Sequence, residues 1–219
     1  GSINLFHQAP IFSYQGAARI TLGNFGHKEM GLSLNTPLSD SVATRLSVEG
    51  ENNEGYITNE TRGDDQWGER TRQRVDGTLL YQISNDNELK INAKYNKNDQ
   101  GGTYTQGDDP FAFQVFEDED FVTKTENHQV SSLYSTYFTA ETSNEFFAGY
   151  SKSRQHHFSD ADGSPQNVAG RRDEMREDHF FTLENRLYYE TESIQNMLGL
   201  HFHDFRLSED YGFNLLFPL

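Results

Sequence analysis

The feature that most constrains this chain is the alternation of short and long connections between segments of period-two character. The short connections hold Pro, Asn, Asp and Ser, which favour tight turns, and they lie at Thr36–Ser41, Ser84–Glu88, Thr139–Asn144 and Glu190–Ser193. The intervening connections are long and polar, and they lie at about Gly50–Arg70, Lys97–Thr125 and Lys152–Glu177. Short turns at one rim of a sheet and long loops at the other are typical of outer-membrane β-barrels.

Nine segments alternate between apolar and polar residues in the manner of β-strands. They lie near Ala17–Gly23, Lys28–Asn35, Val42–Glu49, Arg74–Ile83, Leu89–Asn96, His128–Phe138, Glu145–Lys152, His179–Tyr189 and Ile194–Phe205. These spans approach the roughly 9–11 residues of a tilted transmembrane strand. All five prolines fall outside them, as a hydrogen-bonded sheet requires. The pattern therefore predicts an all-β, antiparallel transmembrane barrel wall of about nine strands.

The alternation also predicts the environment of individual side chains. The predicted lipid-facing set is apolar and comprises Ile20, Leu22, Met30, Leu32, Leu34, Leu46, Val48, Leu79, Ile91, Leu198, Leu200 and Phe202. The predicted lumen-facing set is polar or charged and comprises Arg19, Arg45, Glu49, Lys90, Asn92, Lys94, His201 and His203. Alternation alone would also suit a soluble β-sandwich, but a sandwich has no reason to keep one end short throughout.

Composition narrows the class of protein. The net charge of −16 argues against a nucleic-acid partner, because neutralising phosphates requires Lys and Arg. The absence of Cys excludes disulfides and thiolate metal sites. A mean hydropathy of −0.81 is very polar for a globular chain, whereas a barrel with a polar lumen needs apolar residues only at alternate strand positions. No apolar run approaches the roughly 20 residues of a transmembrane helix.

No catalytic constellation stands out, so we predict no enzyme, no cofactor and no metal site. The acidic stretches Asp108-Asp109 and Glu117–Asp120 read as a solvated loop, with a site for a divalent cation as the alternative. The run Asp160–Gly163 begins like a calcium loop but lacks the closing Glu, so we interpret it as a turn.

Aromatic residues and a His pair in the long loops are the candidate ligand-binding residues. Exposed aromatic side chains in a loop can bind a bulky ligand by stacking, or they can pack on neighbouring loops. A His pair can bind a transition metal, or it can be polar surface. The candidates are Tyr104, Phe111, Phe113, Phe116, His156 and His157.

The first 60 residues or so carry motifs of a known family. The opening GSINLFHQAP resembles the point where the plug domain of TonB-dependent outer-membrane receptors meets the first barrel strand. The segment that follows is similar to the family's first two barrel hairpins, which often read Gly-x-aromatic-Gly, then N-x-P-L-x-D, then an Arg-containing strand and a Gly-Tyr loop. The matching residues are Gly1, Ser2, Ile3, Asn4, Leu5, Pro10, Gly23, Phe25, Gly26, Asn35, Pro37, Leu38, Asp40, Arg45, Gly55 and Tyr56.

The resemblance implies a division of the chain and a function. Residues 1–12 would end the plug, and residues 13–219 would form the N-terminal part of a 22-stranded, plugged barrel. Such receptors lie in the bacterial outer membrane, among lipid and lipopolysaccharide, and import a scarce nutrient with energy delivered through TonB to the plug. A ferric siderophore is the family's commonest substrate, while cobalamin, haem, other metal chelates and oligosaccharides stay open.

Two other classes of protein stay open from the sequence. One is a passive, porin-like barrel without a plug, against which the opening motif speaks. The other is a soluble extracellular β-domain that binds carbohydrate through its loop aromatics.

Overall fold

The computed structural model describes residues 8–166 and 170–213, and strands dominate it. They are β1 (Gln15–Leu22), β2 (Lys28–Pro37), β3 (Val42–Asn53), β4 (Ile57–Asn59), β5 (Asp64–Trp67), β6 (Arg70–Ser84), β7 (Asn87–Gly101), β8 (Gln114–Val115), β9 (Val122–Tyr137), β10 (Thr142–Asp160), β11 (Arg171–Glu190) and β12 (Gln195–Phe213). A single 3-10 turn lies at Pro110–Ala112. Among the described residues, no helix is long and apolar enough to cross a membrane. Residues 1–5, which carry part of the family resemblance, lie outside the described range.

Nine of these strands form one antiparallel sheet, in the order β1-β2-β3-β6-β7-β9-β10-β11-β12. Every pair of neighbours in this sheet is antiparallel, so the chain runs up and down as a meander. Each of the nine predicted segments overlaps one strand of this sheet. The predicted strand count and the all-β, antiparallel class are therefore confirmed.

The long connections are shorter than the sequence predicted, because six strands continue beyond the apolar band. The connections between strands of the large sheet on that rim are 54–69, 102–121 and 161–170, instead of the longer loops predicted. Apart from Val122, Phe158 and Met175, the strand extensions are polar on both faces, so they carry no alternation that a sequence pattern could reveal. Cross-strand ion pairs hold them together, such as Arg72 Nη2 with Glu51 Oε2 at 2.8 Å.

The register gives the sheet one apolar face and one polar face. Residues that pair directly across two antiparallel strands project to the same side, and pairs such as Leu32 with Val48 and Leu183 with Phe202 carry the apolar side from strand to strand. All twelve predicted lipid-facing residues lie on this apolar face, and all eight predicted lumen-facing residues lie on the opposite, polar face. The apolar face is uncovered within the described chain, since Leu22 is 75% and Leu200 is 76% exposed.

The polar face is linked by hydrogen bonds and ion pairs between strands. The Ser47 hydroxyl donates to Ser33 Oγ at 2.9 Å, and Thr78 Oγ1 donates to Asn92 Oδ1 at 3.0 Å. Closer to the long-loop rim, Arg72 contacts both Glu49 (3.2 Å) and Glu51 (2.8 Å). Hydrogen bonds and ion pairs therefore connect neighbouring strands across this face, although Nε of Arg70 and Nε of Arg72 are buried without a hydrogen-bond partner.

Asn35 on the polar face attaches the segment before β1 to the sheet. Its side chain is buried, with 2% of the residue exposed. Asn35 Nδ2 donates to the carbonyls of Ile11 (2.7 Å) and Ser13 (2.6 Å), while Oδ1 accepts from the Ile11 amide (3.0 Å). This one residue therefore fixes the direction in which the chain enters the first strand.

Candidate functional site

The connections sort onto two opposite rims of the large sheet. The turns 38–41, 85–86, 138–141 and 191–194 form the short rim. The long-loop rim consists of the turn 23–27, the loops 54–69 and 102–121, and the described residues of the connection between β10 and β11, 161–166 and 170. All the candidate loop aromatics belong to the second rim, so the site is described there.

Two loops on this rim are joined into one unit by a small second sheet, β5-β4-β8. Strand β4 pairs antiparallel with β5 in its own loop, and it pairs parallel with β8 from the loop 102–121. Ile57, Trp67 and Val115 form a hydrophobic core here, with 1%, 4% and 0% exposure, and Phe121 packs against it. The sequence analysis did not predict this sheet, because its strands are two to four residues long.

Glu117 is the polar centre of this loop unit and is almost fully buried, at 1% exposure. Its Oε1 accepts hydrogen bonds from the Tyr104 hydroxyl and from Gln106 Nε2, the latter at 3.0 Å. Its backbone carbonyl accepts from Asn59 Nδ2 at 2.9 Å. Gln106 also donates to the Gly163 carbonyl at 3.1 Å, which ties the third loop to the unit.

The carboxyl groups of this unit have perturbed acidities. Burial raises the pKa of Glu117, although the hydrogen bond from the Tyr104 hydroxyl lowers that pKa by a smaller amount. Burial also raises the pKa of Asp118, and its contact with Asp160 raises it further. Burial and the neighbouring Glu117 carboxylate raise the pKa of the Tyr104 hydroxyl. The loop unit therefore favours the protonated forms of these groups.

Two of the six candidate residues, Tyr104 and His157, pack against Phe121 of the loop unit. The Tyr104 ring meets Phe121 edge-on at 5.2 Å between ring centroids, and Phe121 meets His157 in the same way at 4.9 Å. His157 Nδ1 is also 2.9 Å from the Thr123 hydroxyl. Packing between loops, one of the two meanings left open by the sequence, thus accounts for Tyr104 and His157.

His156 and His157 do not form a pair. They are consecutive residues of β10, so their side chains project to opposite faces of the sheet. His156 lies on the apolar-face side, with Nε2 2.7 Å from Asp173 Oδ1. The two rings therefore cannot bind one metal ion together. Among the described residues, no group of three or more His, Cys, Asp or Glu side chains could hold a metal.

The predicted turn at Asp160–Gly163 is present. Asp160 Oδ1 accepts from the amides of Asp162 (2.9 Å) and Gly163 (3.0 Å), which is the hydrogen bonding of an Asx turn.

An exposed aromatic ladder joins three loops on the same rim. The rings of Phe25 and Tyr56 are 5.4 Å apart, and those of Tyr56 and Phe113 are 5.5 Å apart. The three residues are 59%, 46% and 43% exposed, and nearby Phe111 is 81% exposed. Of the candidates, Phe113 belongs to this ladder, Phe111 is exposed two residues before it, Tyr104 is 36% exposed, and Phe116 is half-buried. Sequence reasoning quoted Phe25 and Tyr56 as family motifs and did not place them in a site.

Two rungs of this ladder have unusual backbone conformations. Phe25 (φ 57°) and Phe113 (φ 51°) are the two non-glycine residues with positive φ in the described ranges 8–166 and 170–213. Bulky side chains rarely adopt this conformation, and it is maintained only where neighbouring contacts impose it. Here the Phe25 carbonyl accepts from the Glu54 amide (3.0 Å), and the Phe113 carbonyl accepts from the Thr58 amide (2.9 Å). The loops thus hold both rings outward by backbone bonds.

Together, the meander, the uncovered apolar face and the unequal rims are the wall of an outer-membrane-type β-barrel. Comparison with solved structures places it more narrowly, in the fold of TonB-dependent siderophore receptors, so the resemblance drawn from the sequence is confirmed at the level of fold. No family model and no curated protein sequence matches the chain.

Three solved structures illustrate the similarity. The ferric yersiniabactin uptake receptor FyuA from Yersinia pestis superposes with a TM-score of 0.84 at 11% identity over 95% of this chain and 33% of its own. Pseudomonas aeruginosa FpvA bound to heterologous pyoverdines superposes with a TM-score of 0.78 at 14% identity over 96% of this chain and 30% of its own. The ferric-catecholate import receptor Fiu from E. coli K12 superposes with a TM-score of 0.70 at 13% identity over 95% of this chain and 34% of its own.

Two consequences follow from these comparisons. The chain spans about a third of the length of the solved structures it matches. Two of these structures are described as uptake or import receptors and the third as bound to pyoverdines, and at this level of identity the likeness shows the fold.

Proposed function

We propose that this chain is part of the barrel wall of a TonB-dependent outer-membrane receptor that imports a ferric siderophore. The observation that carries the proposal is the nine-stranded meander, which follows the wall of FyuA with a TM-score of 0.84 over 95% of the chain. The named relatives import or bind ferric chelates of different chemistry, namely catecholate, yersiniabactin and pyoverdine. The proposal therefore extends to the class of ligand, a ferric chelate.

The division of the chain follows from this proposal. Residues 1–12 would complete the plug and connect it to the wall, and residues 13–219 would belong to the barrel. The three hydrogen bonds from Asn35 to Ile11 and Ser13 support a fixed connection at this boundary. TonB would act on the plug, and this chain would form the surrounding wall and part of the outer vestibule.

The two faces of the sheet support placement in the outer membrane. Apolar side chains that are half to three-quarters exposed, such as Met30 (64%) and Leu198 (71%), have no cover within the described chain. Contiguous apolar surface of this kind marks contact with a partner or with lipid. Lipid would cover the apolar face, the long-loop rim would lie outside the cell, and the short rim would lie in the periplasm.

We further propose that the aromatic ladder contacts the ferric chelate. Phe25, Tyr56, Phe113 and neighbouring Phe111 expose their rings on the rim where a ligand would arrive, and the backbone holds two of them in place. Rigid aromatic rings bind planar or bulky groups at a small cost in conformational entropy. Tyr104 and His157 would support the loop unit from behind, since they pack within it.

The full-length receptor that contains this chain tests the function. It is expressed in an iron-starved Gram-negative strain that lacks its own siderophore receptors, and uptake of radioactive iron is measured from a ferric catecholate, ferric yersiniabactin and ferripyoverdine. We expect import of at least one complex, and loss of that import when TonB is deleted. Uptake that persists without TonB would favour a passive barrel, and recovery of the protein in the soluble fraction would favour a soluble domain.

The ladder is tested on the same receptor with Tyr56→Ala and Phe111→Ala, neither of which has a positive φ. Loss of one aromatic contact is expected to weaken chelate binding about three- to tenfold, the equivalent of about 0.5–1.5 kcal/mol. Phe138→Ala is the matched control, because Phe138 is 63% exposed beside the short rim. Equal binding by all three variants would remove the ladder from the site.

A further inference from the structure

Most of the excess negative charge of the chain lies on the long-loop rim. The described residues of its turn and loops include twelve Asp and Glu residues and a single Arg, in a chain whose net charge is −16. Seven of these acidic residues are exposed, namely Glu60, Asp65, Glu69, Asp108, Asp109, Asp120 and Asp162. A molecule that approaches this rim therefore meets a negatively charged surface.

The basic groups at this rim are already paired with carboxylates. Arg62 Nη2 lies 2.9 Å from Asp120 Oδ1. Directly after the turn 23–27, Lys28 Nζ lies 4.0 Å from Glu54 Oε1. The described turn and loops contain no Lys, so they offer no group of free cationic donors that could neutralise a polyanion.

Carboxylates lie directly beside the exposed rings of this rim. Glu54 fills the space next to Gly26, where an added Cβ would collide with its carboxyl group, and Gly26 follows Phe25 in the turn. Asp109 Oδ1 accepts a hydrogen bond from the Phe111 amide at 2.9 Å. Two of the exposed rings thus have a carboxylate as a neighbour.

A third exposed ring, that of Phe113, has a neighbour of the same kind. The next residue, Gln114, donates through Nε2 to Glu60 Oε1 at 2.8 Å. The face of an aromatic ring attracts cations through its quadrupole, so the exposed rings favour positive charge independently of the carboxylates. The rings and the acidic residues of this rim therefore favour the same sign of ligand charge.

The net charge of a ferric chelate depends on the groups that hold the iron. Three catecholate dianions around ferric iron leave a trianion, whereas three hydroxamate monoanions leave a neutral complex. A protonated amine elsewhere on a hydroxamate chelator then makes the whole complex a cation. An acidic rim repels the trianion and attracts the cation, and attraction of this kind raises the rate of association.

We propose that the ligand of this rim is a positively charged ferric chelate, in which three hydroxamates hold the iron and a protonated amine is free. This inference rests on the proposed function and narrows its class of ligand. The exposed rings contact the apolar parts of the chelate, and the carboxylates beside them attract its ammonium group. A ferric tris-catecholate is disfavoured, because its charge has the same sign as that of the rim.

The test uses the full-length receptor in a neutral detergent and a charge series of one chelate. The probes are a linear ferric trihydroxamate with a terminal ammonium group, its N-acetyl derivative and its N-succinyl derivative. They hold the iron identically and carry positive, zero and negative net charge. Isothermal titration calorimetry at low salt should show the ammonium form binding at least about tenfold more tightly than the N-succinyl form, and high salt should reduce this difference.

Two triple variants assign the preference to the rim. E54Q/E60Q/D108N removes three carboxylates near the exposed rings, and it should bring the affinities for the ammonium and N-succinyl forms within about twofold of each other. The matched control, D40N/D86N/E192Q, removes the same charge from exposed residues in three turns of the short rim, and it should keep the preference of the wild type. Circular dichroism during heating checks that both variants are folded.

Three results would overturn this inference. They are equal or tighter binding of the N-succinyl form by the wild type, a preference that survives in the rim variant, and an equal loss of preference in the control. The ammonium-bearing chelate is also added to the iron-uptake experiment, which separates the two proposals. TonB-dependent import of a ferric catecholate, without binding of any of the three probes, would overturn the charge preference and leave the import proposal intact. Failure to import iron from every complex would overturn the import proposal as well.

Discussion

The opposite faces of β3 allow a direct test of the membrane placement with neighbouring residues. Leu46 lies on the apolar face, four positions from the start of the strand, and is 48% exposed. That position is close to the middle of a span of roughly 9–11 residues, so a bilayer would place Leu46 near its midplane. Ser47 lies on the polar face, where it pairs in register with Asp76.

The magnitude follows from these two environments. An Arg on the lipid face of a barrel costs about 2–4 kcal/mol at the midplane. We therefore expect Leu46→Arg to lower the free energy of unfolding by that amount. Ser47→Arg loses the hydrogen bond to Ser33 (2.9 Å), worth about 0.5–1.5 kcal/mol, but it gains a carboxylate neighbour in Asp76. Its expected net effect is about 1 kcal/mol or less.

The assay is urea unfolding of the full-length receptor in lipid vesicles, followed by tryptophan fluorescence. Ile91→Arg and Asn92→Arg repeat the comparison on β7, where Ile91 belongs to the apolar face and Asn92 to the polar face. Equal losses of stability at Leu46 and Ser47, or at Ile91 and Asn92, would refute lipid contact. Reversal of the order would mean that the polar face is the one that meets the membrane.

Three further predictions concern the connection and the loop unit. Asn35→Ala removes three buried hydrogen bonds to residues 11 and 13, so urea unfolding should detect a loss of about 2–4 kcal/mol. Trp67→Ala empties the core beside Val115 at a local cost of about 3–5 kcal/mol, and limited proteolysis should cleave the loops while the barrel stays intact. Burial raises the pKa of Glu117 in the folded protein. Glu117 therefore stabilises the loops fully below its unfolded pKa, and this stabilisation is lost as the pH rises through the folded pKa. Hydrogen exchange of the loops should follow this pH dependence, and Glu117→Gln should abolish it.

Local pattern was sufficient to predict the strands and the side of the sheet on which each side chain lies. Period two is set by the backbone of each strand, so Leu89 and Ile91 separate from Lys90 and Asn92 whatever the rest of the chain does. The alternation pattern could not predict strand residues where both faces of a strand are polar. The extension of β10 through Arg154 and Gln155 to Asp160 has no alternation of hydrophobicity and is held by its partners on β9 and β11.

The sequence analysis named the candidate ligand-binding residues by region, and their contacts with one another could not be predicted from it. The sequence pointed to the aromatic residues of one long loop. It had no means to distinguish Tyr104, whose ring packs on Phe121 and whose hydroxyl donates to Glu117, from Phe113, which lies in a ladder with Tyr56. The contacts that decide between these outcomes join residues of different loops. The bond from Asn59 to Glu117, for example, closes a separation of 58 residues.

The sequence by itself determined the class of this protein, because alternation and turn chemistry are local and need only neighbouring residues to express them. Tertiary structure alone decided which loops meet, which carboxyl group is buried and which faces the two adjacent histidines take. It also decided that basic residues distant in sequence, such as His128 and Arg206, lie on one face at one level, since only the register of paired strands aligns them. Such alignment is a property of the assembled sheet, and no single strand contains it.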